Sequence, residues 1–568
     1  MADRRHVILS LANPVRWSCF RPLIGRRRFH ECCGRGFPQV GQTGSPIDQQ
    51  DATEPSKSRS KDGGMSETLF KMFEGAATTF ASIAVLGLAG YSYHRYYKHL
   101  VLQKIENAFR PGDPVLELAA LSKSASKLSG YVPESEEDAV EEDAENWVVR
   151  PEQHRIDQIL NGSEKGKYHL IIGEKGVGKS SMLLEAMRKV DGEGISMFEA
   201  HADLEIFRVR LGKALDYEYH EDYIGSLFSI RGPRDTTALL DIERAFNKLE
   251  KISIKRRYQE KGPLILVVNC AHLIRDDDDG RNLLELMQQR AEQWAAANLI
   301  TMVFNSDDYW VYERLKRYAT RMEVLPVLDL PKTRAVAALG KYRRKYFPQQ
   351  ELSSEILTQV YDRVGGRLTF LVRVAKSINM LDTCDQICQA EKTWFLNKCG
   401  ILGGEMDDDV MDQQKYASAA MVLAKALVDA QSEKSHTSYD PEHGHNLPEI
   451  PLYIARQIMT RADFIQSYDH ENIFTIDSQA NVRADSVPMM NAFRDICSQP
   501  GFVEYLQATL DRISAIESIN RTKELTLKDL WFEQSGDVRG RYLAVMKDGR
   551  GKETGSLEFA VKPDTEKE

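Results

Sequence analysis

Short apolar runs in the middle of the chain predict the strands of a buried sheet. Three of them, at residues 168–172, 263–268 and 299–304, are each followed directly by glycine or a polar residue. A continuous apolar run of this length is typical of a strand covered on both faces, as in a parallel sheet. Amphipathic stretches such as 281–297 follow the runs and predict covering helices. We therefore expect residues 148–330 to form an α/β domain with a parallel sheet flanked by helices.

Beyond this domain the apolar spacing becomes helical and then alternating. Apolar residues three and four positions apart predict a helical region at 331–403. Residues 414–520 then show helical stretches followed by two short segments, 473–477 and 482–485, that predict a hairpin. Three helices followed by a hairpin are the element order of a winged-helix domain. The tail at 521–568 alternates apolar and polar residues in part and predicts either a small β-rich unit or disordered chain.

A 20-residue stretch near the amino terminus, 75–94, contains no Asp, Glu, Lys or Arg. As a helix it would be ~30 Å long, which matches the hydrocarbon core of a bilayer. Tyrosines together with Arg95 and Lys98 follow it, as interface anchors do. The stretch predicts one transmembrane helix in contact with membrane lipid, and a buried helix of a soluble domain is the alternative. Residues 95–147 then continue as a helix and an acidic linker.

The first 35 residues are typical of a mitochondrial presequence. Residues 1–35 contain eight arginines, no lysine and two acids, and such a segment is drawn toward a membrane potential that is negative inside. A basic tail without a targeting role is the alternative, and Met65 is an alternative start. A disordered spacer is expected at 36–74 because Gly, Ser, Pro and Gln are frequent there. We expect a single-pass protein of the mitochondrial inner membrane with its larger domains in the matrix, although a stop-transfer import route would give the opposite orientation.

Composition narrows the classes of function. The 568 residues include 75 basic and 84 acidic side chains, for a net charge of −9, and eight of the acids lie in 134–145. A chain with this balance is not a general nucleic-acid coat. Its eight cysteines include no C-x-x-C pair, which argues against a disulfide scaffold and against a structural zinc site.

The first apolar run leads directly into a phosphate-binding motif. Residues 173–180 are GEKGVGKS, which matches G-x-x-x-x-G-K-[ST] at each fixed position between a predicted strand and a predicted helix. The glycines let backbone N–H groups converge on phosphate oxygens, and the helix N-terminus adds its dipole. Lys179 would reach the β- and γ-phosphates, and Ser180 would ligate Mg²⁺. The expected cofactors are therefore ATP and Mg²⁺, and the expected binding residues are Gly173, Glu174, Lys175, Gly176, Val177, Gly178, Lys179, Ser180 and Ser181.

The acidic residues that hydrolysis of ATP requires are missing from the expected place. A phosphate-loop ATPase carries them after a second buried strand, but here the run 263–268 is followed by Asn269 and Cys270. Asn269 has no charge and Cys270 offers no carboxylate base, so hydrolysis is in doubt. The four aspartates at 276–279 come too late and are expected in a solvated turn. Asn305, after the third run, would lie beside the γ-phosphate.

In the order of these motifs, residues 148–403 resemble AAA+ ATPases. The closer resemblance is to the origin-recognition-like and STAND-type subgroup, which has a GG-x motif in a helical lid, here Gly365-Gly366-Arg367. The resemblance implies a P-loop NTPase core with an α-helical lid. It also implies that Asn269 is a degenerate Walker B residue, that Asn305 is sensor 1 and that Arg367 is sensor 2. The full layout is similar to fungal mitochondrial membrane proteins with an AAA+-like domain and a C-terminal winged helix.

The predicted winged helix lacks the charge that DNA binding needs. A recognition helix directs Lys and Arg at phosphates, but residues 461–473 contain one base and three acids. Nucleic acid is therefore not expected as a partner. The winged helix is expected either to contact an unidentified protein partner or to have an intramolecular role.

The sequence thus predicts a membrane-anchored, mitochondrial ATP-binding protein that acts as a nucleotide-dependent switch or scaffold, with weak or absent hydrolysis. Two alternatives stay open. One is an active ATPase motor or chaperone that works as a homo-oligomeric ring. The other is a membrane tether for mitochondrial DNA through the winged helix.

Overall fold

The computed structural model describes most of the chain after residue 63. The described residues are 64–112, 114–118, 148, 150–219, 237–350, 353–403, 411–433, 439–440, 444–521, 541–547 and 553–560. The predicted presequence, most of the predicted spacer and the acidic run at 134–145 lie outside the described residues. The described residues divide into two units, with the boundary between Ser82 and Ile83.

The first described element is a long helix, α1 (Gly64–Asn107). It begins before the predicted span, so residues 64–74 are helical rather than part of a disordered spacer, because the stretch lacks proline and is rich in Met, Leu, Lys and Glu. The part Met72–Asn107 is long and apolar enough to cross a membrane by length and composition. Toward its end, Val101 and Ile105 are buried in the core of the second unit.

The core of the second unit is a five-stranded parallel sheet with the strand order β2-β3-β4-β1-β5. The strands are β1 (Tyr168–Ile172), β2 (Ile195–Glu199), β3 (Leu264–Asn269), β4 (Ile300–Ser306) and β5 (Met322–Pro326). The three strands that the apolar runs predict are β1, β3 and β4, and they form the middle of the sheet. The apolar pattern did not predict the two edge strands, because Ser196 interrupts β2 and Glu323 interrupts β5.

Helices cover both faces of this sheet. Successive residues of β1 belong to different cores, since Leu170 is buried in one and Ile171 in the other. The flanking helices are α2 (Pro151–Leu160), α3 (Lys179–Lys189), α4 (Leu204–Ala214), α5 (Ala238–Tyr258), α6 (Asp278–Ala297) and α7 (Tyr309–Lys316). Of the four aspartates predicted to form a turn, the first two precede α6, and Asp277 caps the helix by accepting the N–H of Gly280. The other two are helical rather than part of a turn, because they lie in the first turn of α6, where the helix dipole favours acids.

Four helices form the predicted lid. They are α8 (Lys332–Tyr346), α9 (Ser354–Val364), α10 (Leu368–Lys376) and α11 (Met380–Cys399). Leu339, Val360 and Leu371 are buried together in a core that these helices share. A glycine pair joins α9 to α10, and a Cβ on Gly366 would lie 1.9 Å from the carbonyl oxygen of Leu330. Leu330 is buried in the same lid core, so a side chain at position 366 would clash with the backbone inside the lid.

The C-terminal domain has the predicted winged-helix order. Its elements are α12 (Met411–Glu433), β6 (Tyr439–Asp440), β7 (Gly444–His445), β8 (Ile450–Pro451), α13 (Leu452–Ile458), α14 (Ile465–His470), β9 (Phe474–Ile476), β10 (Asn481–Ala484), α15 (Val487–Cys497) and α16 (Phe502–Arg521). Strands β9 and β10 form the expected hairpin, which is the wing, and β8 pairs with β10. In the tail, β11 (Arg541–Lys547) and β12 (Glu553–Ala560) form an antiparallel pair, which corresponds to the β-rich alternative.

Candidate nucleotide-binding site

The predicted phosphate loop joins β1 to α3 at the carboxyl edge of the sheet. Gly176 and Gly178 have φ angles of +84° and +102°, a left-handed conformation that glycine adopts without strain. The lid is close to this loop, because a Cβ on Gly176 would lie 2.5 Å from Thr369 Oγ1. Helix α3 begins at Lys179, so its N-terminal N–H groups and dipole face the loop, as anion binding requires.

A cavity of about 480 Å³ lies in front of the loop, which is within the usual size range of ligand sites. Its wall combines residues of the phosphate loop, the ends of β3 and β4, and the lid. The lining residues are Val148, Arg150, Gly176, Gly178, Lys179, Ser180, Ser181, Met182, Cys270, Asp307, Tyr342, Leu368, Thr369 and Val372. The cavity therefore has a polar end at Lys179 and Ser180 and an apolar end at Leu368 and Val372.

The lysine of the loop is buried, and its ammonium group has three close partners. Lys179 Nζ donates to the carbonyl oxygens of Gly173 at 2.6 Å and Glu174 at 2.8 Å, and it lies 2.8 Å from Asp307 Oδ1. These contacts hold the side chain across the loop. A bound phosphate would have to replace at least one of them.

Ser180, Asn269 and Asn305 meet in one hydrogen-bonded group, although they come from three different elements. Asn305 Nδ2 donates to Asn269 Oδ1 at 2.6 Å and to Ser180 Oγ at 3.2 Å, and Ser180 Oγ donates to Asn269 Oδ1 at 3.1 Å. Asn305 Oδ1 is buried and has no hydrogen-bond partner among the described residues. The geometry therefore places both asparagines beside the phosphate loop, as the sequence predicted.

The oxygen atoms around Ser180 suit Mg²⁺, which prefers oxygen ligands. Ser180 Oγ and Asn269 Oδ1 lie side by side, and the carboxylate of Asp307 lines the same cavity. Ser180 and Asn269 would hold the cation, which would supply charge neutralisation for the phosphates.

Cys270 lines the cavity but does not replace a catalytic acid. Its backbone is left-handed, with φ at +53°. Burial, together with the carboxylates of Asp307 and Glu199, raises the pKa of its thiol to about 11. The thiol is therefore protonated at neutral pH and cannot act as a base.

Asp307 is a site residue that the sequence analysis missed. It follows Asn305 and Ser306 at the end of β4, and it lines the cavity opposite the lysine of the loop. The carboxyl ends of parallel strands meet at one edge of the sheet, and the two acids directly after Ser306 were the available signal.

Glu174, at the second position of the motif, faces away from the cavity and contacts the wing. Its carboxylate is buried and forms an ion pair with the guanidinium of Arg483, on β10. Burial alone would raise the pKa of Glu174, but the positive charges of Arg483 and Arg367 hold it below its usual value. A residue of the phosphate loop thus anchors the winged helix directly.

The structure places Arg367, the residue nominated as sensor 2, in a different environment. Its buried guanidinium binds the side chain and the backbone carbonyl of Asp485, and it lies 3.3 Å from Asp329 Oδ1. Burial opposes its charge, yet the carboxylates of Asp329 and Asp485 raise its pKa. The next two residues, Leu368 and Thr369, line the cavity instead. In this structure Arg367 joins the lid to the winged helix and does not face the nucleotide cavity.

The remaining residues of the motif differ in their contacts and in their exposure to solvent. Val177 accepts a hydrogen bond through its carbonyl oxygen from the buried Arg150 Nη1, at 2.8 Å. Arg150 also donates to the carbonyl oxygen of Leu328, so it fixes the loop against the segment that follows β5. The side chains of Lys175 and Ser181 are exposed. Ser181 lines the cavity.

Helix α14 occupies the place of the recognition helix in the winged-helix domain, and it packs on the core domain. Asp469 of α14 accepts the backbone N–H of Tyr309, at 2.8 Å, and His470 Nδ1 lies 2.8 Å from Asp308 Oδ2. Burial and the nearby carboxylate of Asp308 raise the pKa of Asp469. Helix α14 therefore contacts the residues that directly follow Asp307.

Comparison with known families agrees with these domains. Residues 146–302 match the family described as "AAA ATPase domain", and residues 397–517 match "Fungal AAA protein, C-terminal winged helix domain". The chain therefore carries an AAA ATPase domain followed by a winged helix of the kind found in fungal AAA proteins. No curated protein sequence matches it.

Several solved structures are similar to part of the chain. The Walker-type ATPase of Pyrococcus abyssi has 13% identity and a TM-score of 0.40, and the match covers 61% of this chain and 96% of that one. The Cdc6p protein of Pyrobaculum aerophilum has 12% identity and a TM-score of 0.29, covering 65% and 97%. The Orc1 protein of Aeropyrum pernix, solved in complex with DNA, has 14% identity and a TM-score of 0.33, covering 64% and 96%.

Proposed function

We propose that this chain is a membrane-anchored, mitochondrial AAA+-like protein in which bound ATP acts as a conformational switch. The AAA ATPase domain and the phosphate loop support the binding of nucleotide together with Mg²⁺. The observation that carries the switch is the ion pair between Glu174 of the phosphate loop and Arg483 of the wing. Through this pair the winged helix is attached to the loop that binds phosphate.

Phosphate binding would change the surroundings of Glu174. Lys179 donates to the backbone carbonyl of Glu174. If its ammonium group turns toward a phosphate, this hydrogen bond breaks and the loop is released at Glu174. The lid is joined to the same loop, because Thr369 donates its N–H to the carbonyl oxygen of Gly176 at 3.3 Å. A rearranged loop would therefore move the lid and the winged helix together.

Slow or absent hydrolysis is part of this proposal. Fast hydrolysis needs a firmly held cation and a group that orients the attacking water. Asn269 supplies a neutral oxygen in place of a carboxylate, and the thiol of Cys270 is protonated. A nucleotide that is held without rapid turnover suits a switch better than a motor.

Membrane anchoring rests on α1. Its apolar part, Met72–Asn107, is long enough to cross a bilayer, and large apolar side chains on it, including Phe80, Leu86 and Leu88, are exposed.

The mitochondrial location is proposed from the Arg-rich segment 1–35, which has the composition of a presequence. Protease protection of a C-terminally tagged chain in isolated mitochondria tests the location. Degradation of the tag in intact mitochondria contradicts it.

The switch can be tested by hydrogen exchange on the full chain in detergent. The amide of Tyr309 donates to Asp469 across the contact between the core domain and the winged helix, so its exchange rate reports undocking. We expect Mg-ATP to change exchange in the peptide around Tyr309, and we expect no change in the Lys179→Ala variant. Nucleotide binding that leaves this exchange unaltered contradicts the switch.

DNA is not the partner that we propose, because α14 carries Asp469 and packs on the core domain. A gel-shift titration with the full chain over a range of salt concentrations tests this point. We expect no retarded complex even at low salt, where electrostatic binding is strongest. A retarded complex whose affinity falls with salt favours the tether of mitochondrial DNA.

A further inference from the structure

Asp307 is a carboxylate that the proposed switch does not use. It follows β4 and lines the cavity together with Ser180 and Cys270. Its Oδ1 lies 2.8 Å from Lys179 Nζ, and its side chain is one-fifth exposed. A negative group therefore occupies the place where a phosphate would meet the lysine.

The contact matters because an ammonium group has three N–H donors. Those of Lys179 are directed at two backbone carbonyls, of Gly173 and Glu174, and at Asp307. The carbonyls are neutral, whereas Asp307 carries a full charge. A phosphate that binds Lys179 competes with this carboxylate and then lies beside it.

Asp307 is also held from its other side. Its backbone N–H donates to His272 Nδ1 at 3.2 Å, so a neutral ring carries its proton on Nε2, which lies 3.7 Å from Asp307 Oδ2. The imidazole thus fixes the backbone of Asp307 and lies beside its carboxylate.

Resting on the proposed nucleotide-binding function, we propose that Asp307 makes ATP binding at this site dependent on Mg²⁺. In a partly buried cavity, a carboxylate and a γ-phosphate repel each other more strongly than in water. A divalent cation shared between them removes this repulsion. The other oxygens nearby, on Ser180, Asn269 and Asn305, are neutral. Asp307, directly after β4, therefore supplies the negative charge that is missing at the end of β3, where Asn269 is neutral. As a result, the site binds the magnesium complex of ATP in preference to free ATP.

The test measures the affinity of the full chain in detergent for a fluorescent ATP analogue, once with Mg²⁺ and once with EDTA. The unmodified chain should bind at least about tenfold more tightly with Mg²⁺. Asp307→Asn should reduce this ratio by about tenfold, mainly through tighter binding in EDTA, because the repulsion is removed. Asp307→Glu should keep the ratio. Asp278→Asn is the matched control, since that side chain is 96% exposed and does not line the cavity.

A ratio that Asp307→Asn leaves within about twofold of the unmodified chain overturns the inference while the nucleotide-binding function stands. Loss of the ratio in Asp307→Glu as well would also overturn it, because charge would then not be the cause. If the unmodified chain binds no nucleotide in either buffer, the proposed function and the inference fail together.

Discussion

Replacing Arg483 with glutamine would break the contact between the wing and the phosphate loop. The side chain of Glu174 is 2% exposed and that of Arg483 is 14% exposed. Glu174 Oε2 has no hydrogen-bond partner among the described residues, so the substitution leaves a buried carboxylate without its ion-pair partner. Removing one member of a buried pair costs about 3–5 kcal/mol. We take the lower end, about 3 kcal/mol, because Arg483 keeps some contact with solvent.

This cost would appear as weaker docking of the winged helix. About 3 kcal/mol corresponds to a roughly hundredfold larger population of the undocked state. The peptide around Tyr309 should therefore exchange its amide hydrogens faster by up to that factor in Arg483→Gln, because the amide is protected by Asp469 across the docked contact. Arg461→Gln is the matched control, since Arg461 pairs with Asp463 on the exposed surface of the same domain.

The double variant Glu174→Gln with Arg483→Gln sharpens the result. Once the buried charge is also removed, exchange should return part of the way to that of the unmodified chain, because the two effects are coupled. Exchange around Tyr309 that is equal in Arg483→Gln and Arg461→Gln would refute the view that this ion pair holds the winged helix in place.

Three further outcomes follow from the site and from α1. Lys179→Ala should weaken ATP binding by roughly ten- to hundredfold, since it removes a charge-assisted contact; calorimetry measures this, and Lys175→Ala, an exposed lysine of the same loop, should have little effect. Asn269→Asp combined with Cys270→Glu should raise phosphate release more than ATP affinity, and brisk turnover in the unmodified chain would instead favour the motor. Carbonate extraction of mitochondria should leave the chain in the membrane pellet, and its release to the supernatant would contradict α1 as a transmembrane helix.

Local chemistry made part of this site predictable. The phosphate loop is a continuous stretch between a strand and a helix, so its motif and its element order can be recognised together. Asn269 and Asn305 are 36 positions apart, yet both follow apolar strands, and parallel strands bring their carboxyl ends to one edge of the sheet. The contact of both side chains with Ser180 follows from that rule.

The edge strands of the sheet and the boundaries of helices were harder to predict. Strands β2 and β5 are short and interrupted by Ser196 and Glu323, so their pattern is weaker than that of the central strands. The beginning of α6 was placed too late because Asp277 is both a turn residue and a helix cap. A run of aspartates has the same composition in either case, and only the accepted hydrogen bond distinguishes them.

The sequence by itself determined the phosphate loop, the central strands, the order of domains and the absence of acids after β3, because each of these is written in neighbouring residues. Only the tertiary structure decided which charges meet. Glu174 and Arg483 are 309 positions apart, and Arg367 and Asp485 are 118 apart. No local periodicity relates such residues, since their contact depends on how the wing and the lid dock on the core domain. The docked arrangement therefore determines that Arg367 binds the winged helix, and the folded sheet determines that Asp307 contacts Lys179.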